Sequence, residues 1–202
     1  MATDLSLAKI YCNNLDEIRN RLLLVKSFGN GNKTLGNERS DYEIVAVNLR
    51  KILELIAFGS LTANKDLYAQ TYAKFSEHWR IKQLFENLKK IHPDFYPKAL
   101  MKPTISSGTP RNVHFEFETN GFLTAQELFE LYGHCSEVIH THNPFKGNVT
   151  INFRLSITDW AARIEKLLTF HLFRLAGLPQ VWVGELSDPQ NGKAHVYIAS
   201  PN

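Results

Sequence analysis

Residues 41–61, DYEIVAVNLRKILELIAFGSL, are apolar on nearly every side of a helical wheel. Ile44, Val45, Val47, Leu49, Ile52, Leu53, Leu55, Ile56 and Phe58 leave little room for polar side chains. A helix of that kind must be surrounded, so the stretch predicts the central helix of a bundle, with Gly59 as its C-terminal stop. The few polar residues it does carry matter for the same reason. At about 100° per residue, Glu43, Arg50 and Glu54 share one stripe, with Lys51 beside it.

The neighbouring segments supply partners for this helix. NNLDEIRNRLLLVKSF predicts a first helix, with Asn14 as N-cap, Glu17 three residues on, and Leu15, Ile18, Leu22 and Val25 at helical spacing. The glycine- and asparagine-rich stretch 29–37 joins the two. Lys33-Thr34 follows glycines there, but a phosphate-binding Walker loop needs Gly directly before the Lys and a strand before the loop. Asn32 and a helix stand in those places, so the stretch is a flexible connector. A third helical region runs from about 65 to 91 and ends at HPDFYP, because Pro93 and Pro97 cannot continue a helix.

The second half reads differently. Residues 101–112 form a loop, and VHFEFE alternates as a short strand. Thr124 and Glu127 then open a helix running to about His140. VTINFRLSI reads as a strand or an irregular lead-in, and TDWAARIEKLL as a helix. TFHLFRL, QVWVGEL and AHVYIAS form a meander, with Asn191-Gly192 as the turn signal between the last two. TFHLFRL has a second reading, as a continuation of the preceding helix up to Gly177. The fold class expected is α+β: a predominantly helical bundle at 1–145, followed by a small antiparallel β-meander within an appendage at 146–202, packed as one unit.

Hydrophobic residues make up 44% of the 202 residues and charged residues 21%, enough to bury a real core and to exclude disorder as the dominant state. Cys12 and Cys135 suggest no disulfide scaffold, MATDLSLAKIYC has no signal-peptide pattern, and no apolar run approaches a membrane span. A cytoplasmic protein without a membrane partner is therefore expected. The net charge of +3 permits an anionic partner without demanding one. Basic residues are densest at 74–98, where Lys82, Lys89 and Lys90 are the candidate nucleic-acid contacts, although Glu77, Glu86 and Asp94 interrupt them as on an ordinary solvated face.

LYGHCSEVIHTHNPF, residues 131–145, gathers three of eight histidines and one of two cysteines. A zinc site needs such ligands to converge on one point. On a helix, Cys135 and His142 share a face but lie roughly 10 Å apart along the axis, while His134 and His140 point elsewhere. No metal or other cofactor is expected. Leu128, Leu131, Tyr132, Cys135, Val138 and Ile139 form the apolar face, with Cys135 as a small buried hydrophobe. Tyr132, Ser136 and His140 form a second stripe, beside which Gly133 offers room for another helix.

A helix carrying LRKILEL, followed later by one carrying YGHCSEVIHTHNP, resembles bacterial HEPN-like helical-bundle families of the defence and toxin–antitoxin type. The resemblance spans roughly residues 12–145 and rests on an Arg-x-x-x-Glu helix and a later Ser-x-x-x-His helix end. The matching positions are Arg50, Glu54, Ser136 and His140. It implies RNA or a protein as partner, or a second copy in a homodimer. As a nuclease site it would cleave RNA without metal, with His140 as acid or base, Arg50 on the phosphate and Glu54 orienting either. The superfamily's Arg followed after four to six residues by His is absent: seven residues separate Arg163 from His171, and two separate Arg111 from His114. The expected role is therefore binding or regulatory before catalytic. Arg50 and Glu54 also fit a structural ion pair within the bundle. A third role, partner binding through the edge of the C-terminal sheet with Trp182 and Tyr197, uses none of these four residues.

Overall fold

The computed structural model describes residues 5–72, 80–107, 112–141 and 154–200. Its helices are α1 (Leu5–Gly29), α2 (Glu38–Ala63), α3 (Lys65–Thr71), α4 (Ile81–Ile91), α5 (Ala125–Ile139) and α6 (Ile157–Thr169). Its strands are β1 (Lys98–Ala99), β2 (Thr104–Ile105), β3 (Val113–His114), β4 (Phe170–Arg174), β5 (Val181–Glu185) and β6 (His195–Ala199). The α+β class stands: a helical bundle with a small antiparallel sheet ordered β1-β4-β5-β6. Among the described residues, no helix is long and apolar enough to cross a membrane.

The all-round apolar pattern of α2 is explained by its position. It packs against α1, α4 and α5, and Val45, Leu49, Ile52, Leu53 and Ile56 are buried. Asn37 caps it, its side chain accepting from the Ser40 amide at 3.2 Å. Arg21 on α1 donates to Asn48 on α2 at 2.8 Å, a polar tie inside this contact. One core cluster continues from these helices through Trp160, Ile164 and Leu168 of α6 to Phe173 and Trp182 of the sheet. The stretches 1–145 and 146–202 thus share it.

Several expectations are corrected. Asn14 does not start α1. The apolar face continues upstream through Tyr11 and Leu7, and Glu17 pairs with Arg21 at 2.5 Å instead of closing a cap. Gly59 does not stop α2. It lies under the Tyr11 ring, where a Cβ would sit 2.6 Å from Cε2, so glycine serves close packing there. Residues 101–112 contain β2, which pairs with β3, and Lys98–Ala99 adds a short edge strand beside β4. TFHLFRL becomes β4 from Phe170 onward, so the helix does not continue to Gly177. The Asn191-Gly192 turn signal does lie in the connection between the antiparallel β5 and β6, where the Asp188 amide donates to the Lys193 carbonyl and Gly192 supplies the positive φ of 68°. The strand or lead-in expected at 149–157 lies largely outside the described residues.

The inner face of the sheet carries a buried polar pair. The Tyr11 hydroxyl and His171 Nε2 are 2.6 Å apart, and His171 Nδ1 faces the Leu168 carbonyl at 3.0 Å. Burial lowers the His171 pKa to about 4. Gly184 stands opposite His171 across the strands, and any Cβ there would fall on the imidazole.

The outer edge of β6 is covered by α1. The Asp16 carboxylate accepts from the Ala194 amide at 3.1 Å, while Arg19 donates to the Gly192 carbonyl. Positions 16 and 19 lie on one helical face. This helix closes backbone groups that an open edge would offer to another chain.

Candidate functional site

Helices α2 and α5 pack side by side and bring four side chains together. Arg50 and Glu54 sit one turn apart on α2, and Nε of Arg50 donates to the Glu54 carboxylate at 3.2 Å. Arg50 Nη1 reaches across to the Ser136 hydroxyl on α5 at 3.3 Å. The guanidinium also lies over the Tyr132 ring, 4.7 Å from its centroid, and the Tyr132 hydroxyl donates to Glu54 at 3.3 Å. Burial and the neighbouring Glu54 raise the Tyr132 pKa against the pull of Arg50, so the phenol remains a donor.

The site is half-buried: the Arg50 and Glu54 side chains are 26% and 31% exposed. Arg50 is thus held on three sides while its second terminal nitrogen, Nη2, has no protein acceptor among the described residues. A planar guanidinium so fixed, with one donor unpaired among the described residues, suits recognition of an oxyanion. The Ser136 hydroxyl is committed differently. It donates to the Tyr132 carbonyl at 2.7 Å, which leaves its oxygen as an acceptor for Arg50. Gly133, one residue from Tyr132, is exposed, and no atom of the described residues lies within 4 Å of where its Cβ would sit.

The local sequence positions these groups by simple means. Thr124 and Glu127 form the capping box that starts α5, with the Thr124 hydroxyl accepting from the Glu127 amide at 3.2 Å. Arg163 on α6 and Arg154 before it both donate to the Glu127 carboxylate, at 2.7 and 2.8 Å. Burial works to raise the Glu127 pKa, and the bonds from Arg163, the Thr124 backbone and Arg154 outweigh it, holding the carboxyl at about 2. Leu128, Leu131 and Cys135 are buried on the core face, and burial pushes the Cys135 thiol up to about 12, which makes it an inert packing residue.

The remaining candidates stand apart. His140 is the C-cap residue of α5, its amide donating to the Ser136 carbonyl at 3.1 Å, and its exposed side chain takes no hydrogen bond among the described residues. His134 lies between Glu130 and Glu137 at 4.0 and 3.9 Å, and His142 is outside the described residues. Among the described residues, no three His, Cys, Asp or Glu side chains gather as metal ligands. Lys82, Lys89 and Lys90 are exposed on α4, and Glu86 is exposed between them. Tyr132 is the site residue that sequence reasoning left out of the constellation. Its place on the same stripe as Ser136 was the available signal. Compared with known proteins, the chain matches no family model, no curated protein and no solved structure.

Proposed function

We propose that this protein is a HEPN-like component of a bacterial defence or stress system, with a binding or regulatory role, and that RNA is its ligand. The observation that supports this reading is Arg50, held by Glu54, Ser136 and Tyr132 with its Nη2 left without an acceptor among the described residues. A phosphate can take that donor without displacing the other three contacts. Lys82, Lys89 and Lys90 lie on α4, which packs against the same helix α2, and add exposed positive charge for a phosphate backbone. Binding is favoured over cleavage because the Ser136 proton is bound to a carbonyl and Arg50 is paired with Glu54.

The test is incubation of the purified protein with total RNA, with and without EDTA, beside His140→Ala. The reading predicts retained RNA, intact in every lane. EDTA-resistant cleavage that disappears in a folded His140→Ala variant would replace it with a metal-independent ribonuclease. Absence of both binding and cleavage would remove RNA as the ligand.

A further inference from the structure

The outer face of the sheet carries a second apolar cluster, built from Leu100, Leu172 and Val183 with Phe115, Phe170 and Val181 packed against it. Successive strand residues alternate between faces, and the register sets Phe170 opposite Glu185 and Val183 opposite Tyr197. These four side chains therefore share the outer face. They line a cavity of about 310 Å³, completed by Phe115 near the β2–β3 hairpin and Lys102. That volume falls in the range of small-molecule sites.

Glu185 does not fit a purely apolar surface. It is only 7% exposed. Its carboxylate accepts one hydrogen bond, from the Tyr197 hydroxyl at 3.0 Å, and it pairs with no Lys, Arg or His among the described residues. His195, its cross-strand neighbour, lies 3.4 Å from Asp188 instead. Lys102 is exposed and makes no ion pair among the described residues. The other Glu185 carboxylate oxygen takes no hydrogen bond among the described residues and is not buried, so it stays open to a cation that enters the cavity. The rings of Phe115, Phe170 and Tyr197 line the same cavity, and aromatic faces attract cations.

We propose that this cavity binds a small aromatic amine. Its ammonium meets the Glu185 carboxylate, and its apolar body lies against Phe115, Phe170 and Val183. The site shares no residue with Arg50 and does not depend on the RNA reading.

The test is calorimetric titration of the intact chain with benzylamine, 2-phenylethylamine and tryptamine, beside the neutral 2-phenylethanol. The expected result is at least one amine with a Kd of about 1 mM or tighter. Phenylethanol should bind about tenfold more weakly or worse, since a charge-assisted hydrogen bond is lost. Glu185→Gln should lose at least about tenfold in amine affinity by the same reasoning. Ala199→Trp, which fills the cavity from β6 and leaves the carboxylate in place, should weaken the amines to a similar degree. It decides the matter alone if Glu185→Gln does not fold. The proposal is overturned if no amine binds, if the alcohol binds equally well, or if the folded variants keep wild-type affinity.

Discussion

Removing the Glu127 charge should loosen α5, the helix that carries Ser136, and the effect should vanish in acid. Glu127 accepts two bonds from Arg163, one from Arg154, and others from the Thr124 amide and hydroxyl. Its pKa falls from an ordinary 4.5 to about 2 in the folded protein. That drop corresponds in full to about 3 kcal/mol of stability at neutral pH. Arg154 is half-exposed, and solvent screening reduces the figure to about 2 kcal/mol. For a depressed carboxyl, the stabilisation is present above pH 4.5 and is lost as pH falls toward 2. Urea unfolding of wild type and Glu127→Gln at pH 7, 5, 3 and 2 measures it. The expected difference is about 2 kcal/mol at pH 7, or a Tm lower by roughly 4–8 °C, shrinking nearly to zero at pH 2. A difference under about 0.5 kcal/mol at pH 7, the level of an ordinary surface substitution, would refute the reasoning, as would one that does not change with pH.

The buried pair under the sheet gives two further tests. Tyr11→Phe leaves His171 Nε2 buried without its partner and should cost about 1–3 kcal/mol by urea unfolding. Gly184→Ala should cost about 1–3 kcal/mol because its methyl meets the His171 ring, and the penalty should shrink in a His171→Ala background, as a double-mutant cycle would show. The His171 pKa is lowered toward 4, so its contribution is present above the ordinary 6.5 and is lost as pH falls from there toward 4. Exchanging His171 for Gln should remove that part of the acid sensitivity. On the edge of β6, Asp16→Ala frees the Ala194 amide. Light scattering should then show concentration-dependent association absent from the wild type.

What could be read in advance follows from how local each signal is. The apolar wheel of 41–61 and the Thr124–Glu127 box are local, and both reappear in α2 and α5. Gly59 reads equally as a helix stop or as a close approach, and only the position of Tyr11, 48 residues away in the chain, separates the two. Asn14 and Glu17 match a cap, but Tyr11 and Leu7 extend the buried face past them. Two-residue strands such as β1 and β2 carry too few residues for a period. At the site, Arg50 and Glu54 are legible from their spacing, whereas the bond to Ser136 joins residues 86 apart. Glu185 sits on a strand in a pattern that resembles a solvent face, and its low exposure and its bond to Tyr197 follow from the pairing of β5 with β4 and β6.

Binding of a fluorescent single-stranded RNA to wild type, Arg50→Lys and Arg50→Gln, each checked for an unchanged Tm, tests the central claim most directly. The account predicts at least about tenfold weaker binding for Arg50→Gln, the loss of a charge-assisted contact, and an intermediate loss for Arg50→Lys, which keeps the charge without the planar fork. Equal affinity in all three folded proteins would contradict it.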